Sequence, residues 1–117
     1  MPVAFLTPDQ TACYASFPAD LSADLLARAA FLDATDRAVL ISLRGNHTRL
    51  GYAVQLATVR LLGTFLAEPT VVPKRLVTYL AQQLDLTPTD HLDRYRASRM
   101  RWLHPRDIRQ RYGYVDY

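Results

Sequence analysis

The chain has 117 residues, half of them hydrophobic, with a single cysteine and a formal net charge of +3. We expect one domain spanning residues 1–117, because the apolar half of the chain is enough for a core without metals or disulfides. The single cysteine excludes an intrachain disulfide and a cysteine-based zinc cage. The chain also lacks the roughly 18 apolar residues of a membrane span and the basic start of a signal peptide, which predicts a cytoplasmic protein.

Charge is unevenly distributed along the chain. Residues 1–36 hold five acids against Arg28 alone, a net of −4, whereas residues 37–117 hold thirteen cations against six acids, a net of +7. All but Lys74 of these cations are arginine, whose guanidinium suits phosphate and base edges better than an ammonium does. The imbalance favours a polyanionic partner for the C-terminal two thirds, although a high-GC genome also raises arginine content.

Helix signals dominate the first third of the chain. Thr7 in "TPDQ" is a predicted N-cap for a short helix over about 8–14. Apolar residues at helical spacing predict a second helix over 21–32. Asp33 is expected to cap a third helix, over 33–45.

The stretch "RGNHTRLGYAVQL" (44–56) joins this third helix to a fourth, predicted over 48–62. Gly45 is expected to end the helix before it, Asn46 to cap the new helix, and Gly63 to end it. Gly51 is expected to permit close helix packing. Tyr52 and Gln55 are placed on faces away from the core.

The second half of the chain is also helical in pattern. Pro73 opens a predicted helix over 73–84, and "TPTD" from Thr87 starts a further helix or helix pair towards Tyr112. Pro105 is expected to end or kink that stretch. The sequence therefore predicts an all-α fold, a compact bundle of six or seven short helices with helix-turn-helix-like packing.

Catalytic and metal-binding patterns are not found in the sequence. His47, His91 and His104 lack metal-ligand spacing, Cys13 has no basic neighbour in sequence, and no glycine-rich phosphate loop occurs. We interpret His104 as a packing or capping residue. The sequence predicts no catalysis, no metal and no cofactor. The paired acids open helices, where capping accounts for them: Asp33 with Asp36, and Asp90 with Asp93.

Three cationic features favour binding: the loop at 44–49, the pair at 74–75, and the stretch 94–112, which interleaves seven arginines with aromatic residues. Helix N-termini attract phosphate, and arginine beside aromatics suits a nucleic acid. For the third feature a solvated helix face with buried aromatics is an equal alternative. The residues predicted to contact DNA are Arg44, Asn46, His47, Arg49, Gln55, Lys74, Arg75, Arg99, Arg101 and Arg109.

Three blocks, "LRGNHTRLGYAVQL", "VPKRLVTYLAQQL" and "HPRDIRQRYGY", together resemble the N-terminal domain of the Tn-three family of replicative transposases. Asp107 stands where that family has Glu, and Pro105 where it has a helix-compatible residue. The matching positions are Arg44, Gly45, Arg49, Leu50, Gly51, Tyr52, Ala53, Gln55 and Leu56, then Arg60, Gly63, Pro73 and 81–84, and last His104, Asp107, Ile108, Tyr112, Gly113 and Tyr114.

The resemblance implies a helical domain that binds the terminal inverted repeats of a transposon, in which Gln55 could contact adenine. The family's Mg²⁺-binding carboxylates lie downstream in a ribonuclease-H-like domain, so these 117 residues are expected to bind DNA without cutting it. The implied partners are double-stranded DNA, the remaining transposase domains and a homodimer formed through the full-length protein, with nucleoid association when bound. The alternative function is a helical protein-interaction module for transposase assembly.

Overall fold

The computed structural model describes residues 21–86 and 91–113 of the chain. Within these ranges the secondary structure is helical and contains no strand, which confirms the predicted all-α fold. The helix predicted over 8–14 lies outside the described residues, as do Cys13 and the capping residues at 87–90. The helices are α1 (Ala23–Ala29), α2 (Ala34–Ile41), α3 (Asn46–Leu62), α4 (Lys74–Gln83), α5 (His91–Ala97) and α6 (Met100–Tyr112).

The first two helices begin with side-chain caps. Ser22 Oγ accepts from the backbone N–H of Leu25 at 3.1 Å. Asp33 accepts from the N–H of Asp36 at 2.8 Å, and Asp36 accepts from the N–H of Asp33 at 3.1 Å, which completes a capping box. Each such cap contributes about 1 kcal/mol to helix stability. The predicted cap at Asp33 is confirmed.

Helix α3 is the central helix and packs against each of the other five helices that the structure describes. Every residue from Leu50 to Val59 is buried, so α3 has no solvent-facing side over this span. The prediction that Tyr52 and Gln55 lie away from the core is therefore wrong. An amphipathic helix has one apolar face, whereas a central helix must be covered all round.

The turn into α3 differs from the one predicted. Helix α2 ends at Ile41, well before Gly45, and α3 begins at Asn46 with Gly45 itself as the N-cap. Gly45 has φ of 83°, which is unfavourable for residues with a side chain. Asn46 is thus a helical residue and not the cap. Gly63 ends α3 with φ of 77°, as predicted.

Helix α4 contacts the connection between α1 and α2 through its last residue, Gln83. Its residues Leu76 and Leu80 are fully buried, in agreement with the predicted helical spacing. The side chain of Gln83 accepts from the N–H of Leu32 at 2.8 Å and donates to the carbonyl of Ala30 at 2.9 Å. These two bonds satisfy the N–H of Leu32 and the carbonyl of Ala30, which lie in the connection between the helices.

Helix α5 crosses α3 at Gly51. A Cβ atom at Gly51 would lie 2.2 Å from the ring of Tyr95, which is itself fully buried. No side chain other than hydrogen fits this approach without displacing the ring. The predicted role of Gly51 in close helix packing is confirmed.

Helix α6 continues through Pro105, so this proline does not end the helix, and the alternative that it kinks the helix stays a prediction. Proline has no N–H, which leaves the carbonyl of Arg101, four residues earlier, without its helical donor. The side-chain amide of Gln55 in α3 donates to that carbonyl at 3.2 Å. The tertiary structure thus supplies the hydrogen bond that the proline removes from its own helix.

Candidate nucleic-acid interface

The start of α3 is the first part of the candidate interface. No side chain caps it, and its first turn holds no acid. Arg44 and Asn46 are both exposed there. An uncapped helix start offers backbone N–H groups and the positive end of the helix dipole, which together favour an anion.

Helix α5 brings further cationic groups to this helix start. Burial lowers the pKa of His47, and the charges of Arg94 and His91 lower that pKa further. Arg94 is exposed and directly precedes Tyr95, the residue that packs on Gly51. The lowered pKa makes His47 a neutral polar group at pH 7, so the positive charge near this loop comes from Arg44 and Arg94.

The start of α4, like that of α3, lacks a side-chain cap and an acidic residue. Pro73 is its N-cap without a side-chain hydrogen bond, and no acid occupies its first turn. Lys74 and Arg75 are both exposed in that turn. Cations at this end of a helix oppose its dipole, so helix stability does not account for them.

Arg49 binds within the fold, at the end of α2. Its Nε donates to the carbonyl of Leu40 at 3.1 Å and to that of Leu43 at 3.2 Å, and its Nη2 lies 3.4 Å from the carbonyl of Ile41. These carbonyls lie at the C-terminal end of α2, which attracts a cation. The predicted role of Arg49 in DNA contact stays a prediction, and the observed contacts give it a structural one.

Arg101 is also held by neighbouring side chains. Its Nη1 lies 3.1 Å from Oε1 of Glu68, and its guanidinium stacks over the ring of Trp102 at 4.3 Å from the ring centre. The ion pair and the stacking fix the guanidinium beside the start of α6. Trp102 itself is 59% exposed, so the alternative in which the aromatics of this stretch are all buried does not hold for it.

Gln55 lies in the core with 1% of its surface exposed. Its Nε2 donates to the hydroxyl of Tyr95 at 2.7 Å as well as to the carbonyl of Arg101. In this position the buried amide links α3, α5 and α6. Its predicted contact with adenine stays a prediction, and the observed bonds give the amide a structural role.

The amide of Gln55 belongs to a buried polar network. The hydroxyl of Tyr95 lies 2.7 Å from Nδ1 of His104. Because that hydroxyl already accepts from Gln55, it donates to His104, whose own proton then lies on Nε2. Burial lowers the pKa of His104 to about 4, so the ring is neutral at pH 7. The interpretation of His104 as a packing residue is confirmed.

Tyr52 extends the same network towards α6. Its hydroxyl donates to Asp107 at 2.6 Å, and its ring meets that of His104 edge-on at 4.8 Å between centres. Burial and the bond to Asp107 raise the pKa of Tyr52. Burial alone would raise the pKa of Asp107, but the bonds from Tyr52 and Arg111 outweigh it and lower that pKa. Asp107 is thus a structural acceptor in the fold.

A second buried group joins α2, α3 and α6. Asp36, 1% exposed, receives two bonds of 2.9 Å from the guanidinium of Arg60 and one of 2.8 Å from the hydroxyl of Tyr112. Burial raises the pKa of Asp36, but these bonds outweigh it and hold the pKa below its usual value. Capping alone was expected to account for Asp36, and that interpretation missed its bond to Arg60.

Helix α6 carries the remaining cations of the candidate interface. Arg99 and Arg106 are exposed, whereas Arg109 is half-buried with its guanidinium 5.4 Å from the ring centre of Phe65. Arg94 and Arg106 were absent from the predicted contact set. For Arg106 the sequence contains a signal, because Arg106 follows Trp102 by four residues and so lies on the same side of a helix.

The structure thus divides the predicted contact residues into two groups. Seven are exposed or half-exposed, namely Arg44, Asn46, His47, Lys74, Arg75, Arg99 and Arg109, and of these Arg75 and Arg109 also make contacts within the fold. Gln55 is buried, and Arg49 and Arg101 are half-buried with hydrogen bonds to other parts of the fold. In residues 21–86 and 91–113, no group of three or more His, Cys, Asp or Glu side chains is arranged to hold a metal ion. None of the helices described there has the length and apolar character needed to cross a membrane.

The chain is similar to part of two transposases. It is 43% identical over 122 residues to the transposase for transposon gamma-delta of Escherichia coli (strain K12), an alignment that covers all of this chain and 12% of that protein. It is 28% identical over 113 residues to the transposase for transposon Tn1546 of Enterococcus faecium, covering 96% of this chain and 11% of that protein. The chain therefore spans about an eighth of these relatives.

A family profile described as "Domain of unknown function (DUF4158)" matches residues 5–117. The chain belongs to this family, which is the N-terminal domain of Tn-three-family transposases. The resemblance seen in the sequence blocks is thereby confirmed.

Proposed function

We propose that this chain binds the DNA of transposon terminal inverted repeats, as the N-terminal DNA-binding domain of a Tn-three-family transposase. The observation that carries the proposal is the start of α3. That helix start has neither a side-chain cap nor an acid, and exposed Arg44 and Asn46 lie beside it. The relatives named as transposases support a role in transposition.

The proposed contact is mainly with the phosphate backbone. Backbone N–H groups at the start of α3 bind one phosphate, and Arg44 and Arg94 neutralise the charge around it. Lys74 and Arg75 at the start of α4 add a second cationic position. Contacts of this kind determine where the protein lies on DNA and make its affinity fall steeply with salt.

Strand cleavage and transfer belong, in this proposal, to the part of a transposase outside these 117 residues. The chain spans 12% of the gamma-delta relative, which leaves room for separate catalytic domains. The proposed partners are accordingly the terminal-repeat DNA, those further domains and a second transposase subunit, with nucleoid association when DNA is bound.

The test is fluorescence-anisotropy binding of the chain to an inverted-repeat duplex and to a scrambled duplex across a salt series. Arg44→Ala is expected to weaken binding and to reduce the slope of log affinity against log salt by about 1. Arg28→Ala is the matched control, because Arg28 is exposed and pairs with Asp24 in the acid-rich segment. Its binding is expected to equal that of the unaltered chain.

Preference for the inverted repeat supports recognition of transposon ends. Equal binding to both duplexes would contradict end recognition by this domain alone. Absence of binding at every salt concentration would overturn the DNA-binding proposal and favour the second candidate, a protein-interaction module. The exposed Phe31 (54%) and Ile41 (72%) are the observation that supports this second candidate. An apolar contact of that kind would be insensitive to salt.

A further inference from the structure

Helix α6 presents an unusual exposed face. Trp102 is 59% exposed and Leu103 is 49% exposed, although the opposite side of the same helix buries His104 and Ile108 completely or nearly so. Exposed large apolar residues that lie together mark interaction sites more often than isolated ones do. Nothing in the packing of the described helices requires an indole at this position.

The ring of Trp102 is held in place on one side. Arg101 stacks over it at 4.3 Å from the ring centre, and Glu68 fixes Arg101 through an ion pair of 3.1 Å. The ring is therefore positioned by its neighbours, yet more than half of the residue's surface faces solvent. An aromatic ring that is already held in place and is partly exposed loses little conformational entropy when a second flat group stacks on it.

The charges around this ring favour an anionic partner. Arg99, the N-cap of α6, and Arg106 are exposed and lie three residues before and four residues after Trp102, on the same face as Trp102 and Leu103. They are separated by about 10 Å along the helix axis and bracket the apolar pair. The one acid of α6, Asp107, is bonded to Tyr52 and Arg111 and so does not offset them.

We propose that this face of α6, consisting of Arg99, Trp102, Leu103 and Arg106, inserts into DNA, with Trp102 stacked on a base and the two arginines on flanking phosphates. The proposal rests on the DNA-binding function proposed above and adds a named contact to it. In a regular duplex the faces of the bases are covered by their neighbours. Trp102 and Leu103 therefore act as an apolar wedge at a base step that opens, which bends the duplex.

Trp102 is the only tryptophan of the chain, so tryptophan emission, excited selectively over that of the tyrosines, reports on this site alone. The experiment titrates the 117-residue chain with a dye-labelled inverted-repeat duplex and records dye anisotropy and tryptophan emission in the same samples. Tryptophan emission is expected to fall in step with the anisotropy change. Protection from acrylamide quenching is expected to appear at the same DNA concentrations.

Variants separate stacking from general binding. Trp102→Ala is expected to weaken DNA binding roughly tenfold, and Trp102→Phe, which keeps a ring, to recover most of that loss. Phe31→Ala is the matched control, because Phe31 is exposed to a similar extent outside α6 and is expected to leave affinity unchanged. The same duplex with one unpaired nucleotide is expected to bind more tightly, since its stack is already open.

The outcomes distinguish this inference from the proposed function. Saturable DNA binding with Trp102 still accessible to acrylamide, and with Trp102→Ala unaltered in affinity, overturns the wedge and leaves DNA binding standing. Absence of DNA binding by the anisotropy signal overturns both. Protection of Trp102 that depends on protein concentration without DNA would show that a second copy covers this face, which also overturns the inference.

Discussion

Arginines in two regions of this molecule have different roles. In the interior, three arginines are half-buried and bond to other parts of the fold: Arg60 pairs with Asp36, Arg49 binds the carbonyl groups at the end of α2, and Arg101 binds Glu68. On the surface, Arg44 and Arg106 extend into solvent. The same residue type thus stabilises the fold in one region and is available for a polyanion in the other. Composition counts both groups equally.

The physical difference lies in desolvation. A guanidinium inside the protein must be paired, because an unpaired buried charge costs several kcal/mol. A guanidinium on the surface keeps its water and contributes little to stability until a phosphate approaches. Interior arginines should therefore affect unfolding, and surface arginines should affect binding.

The largest expected effect is at Arg60. Arg60→Ala leaves the carboxylate of Asp36 buried without its partner and should lower the free energy of unfolding by about 3–5 kcal/mol. Urea denaturation followed by circular dichroism measures this change. The double variant Asp36→Asn with Arg60→Met removes both charges and should be more stable than Arg60→Ala. A loss below about 1 kcal/mol would contradict a desolvated pair.

The next effect is the pH dependence that comes from His104. Its folded pKa of about 4 lies below the ordinary value of 6.5, so the unfolded chain binds a proton more readily. The stability contributed by the neutral ring is present above pH 6.5 and is lost as pH falls towards 4, on the order of 3 kcal/mol.

Urea midpoints between pH 7 and 4 test this prediction. His104→Gln should be less stable at pH 7 but should show a flatter pH dependence, whereas Arg106→Ala should keep the slope of the unaltered chain. The lowered pKa values of Asp36 and Asp107 act at more acidic pH, where their protonation removes further stability. An unaltered slope in His104→Gln would show that another group causes the dependence.

A smaller effect is expected at the crossing of α3 and α5. Gly51→Ala places a methyl group 2.2 Å from the ring of Tyr95 and should destabilise the protein by about 1–3 kcal/mol. The measurement is a double-mutant cycle with Tyr95→Leu. The smaller leucine side chain relieves the overlap with the added methyl group. The double variant should therefore lose less stability than the sum of the losses in the two single variants. Strict additivity would mean that the helices do not meet here.

The smallest effect on stability is expected at Arg44, and it sharpens the contrast with its neighbour Arg49. Arg44→Ala should change the free energy of unfolding by less than about 0.5 kcal/mol, as a surface substitution. Arg49→Ala removes the donor to carbonyls of α2 and should cost about 1–3 kcal/mol. Thermal unfolding of the two variants side by side compares them, and equal losses would contradict the division between interior and surface arginines.

Local signals in the sequence were sufficient for much of the fold. The all-α class, the cap at Asp33 and the helix end at Gly63 all follow from short-range patterns. Each depends on a few residues of one segment, such as a side chain that reaches a nearby N–H or a glycine in a left-handed conformation. Such features do not depend on where the other helices lie.

The candidate interface could be predicted in part. The loop at 44–47 and the pair at 74–75 are exposed, as their polarity indicated. The spacing of residues in a single helix could not show that Arg49 and Arg101 bond inward or that Gln55 is buried, because their partners lie in other helices or in the connections between them. Pro105 shows the same limit, since the carbonyl that it leaves without a helical donor accepts a hydrogen bond from α3.

By itself, the sequence determined the all-α class, the cap at Asp33, the helix end at Gly63, the family and the excess of cations in the C-terminal two thirds. The tertiary structure decided which of those cations are interior, that α3 is covered on every side, and that Trp102 stays exposed beside Arg101. The physical reason is the range of the interactions. Caps and turns act over three or four residues, whereas the burial of a charge depends on every helix that packs around it.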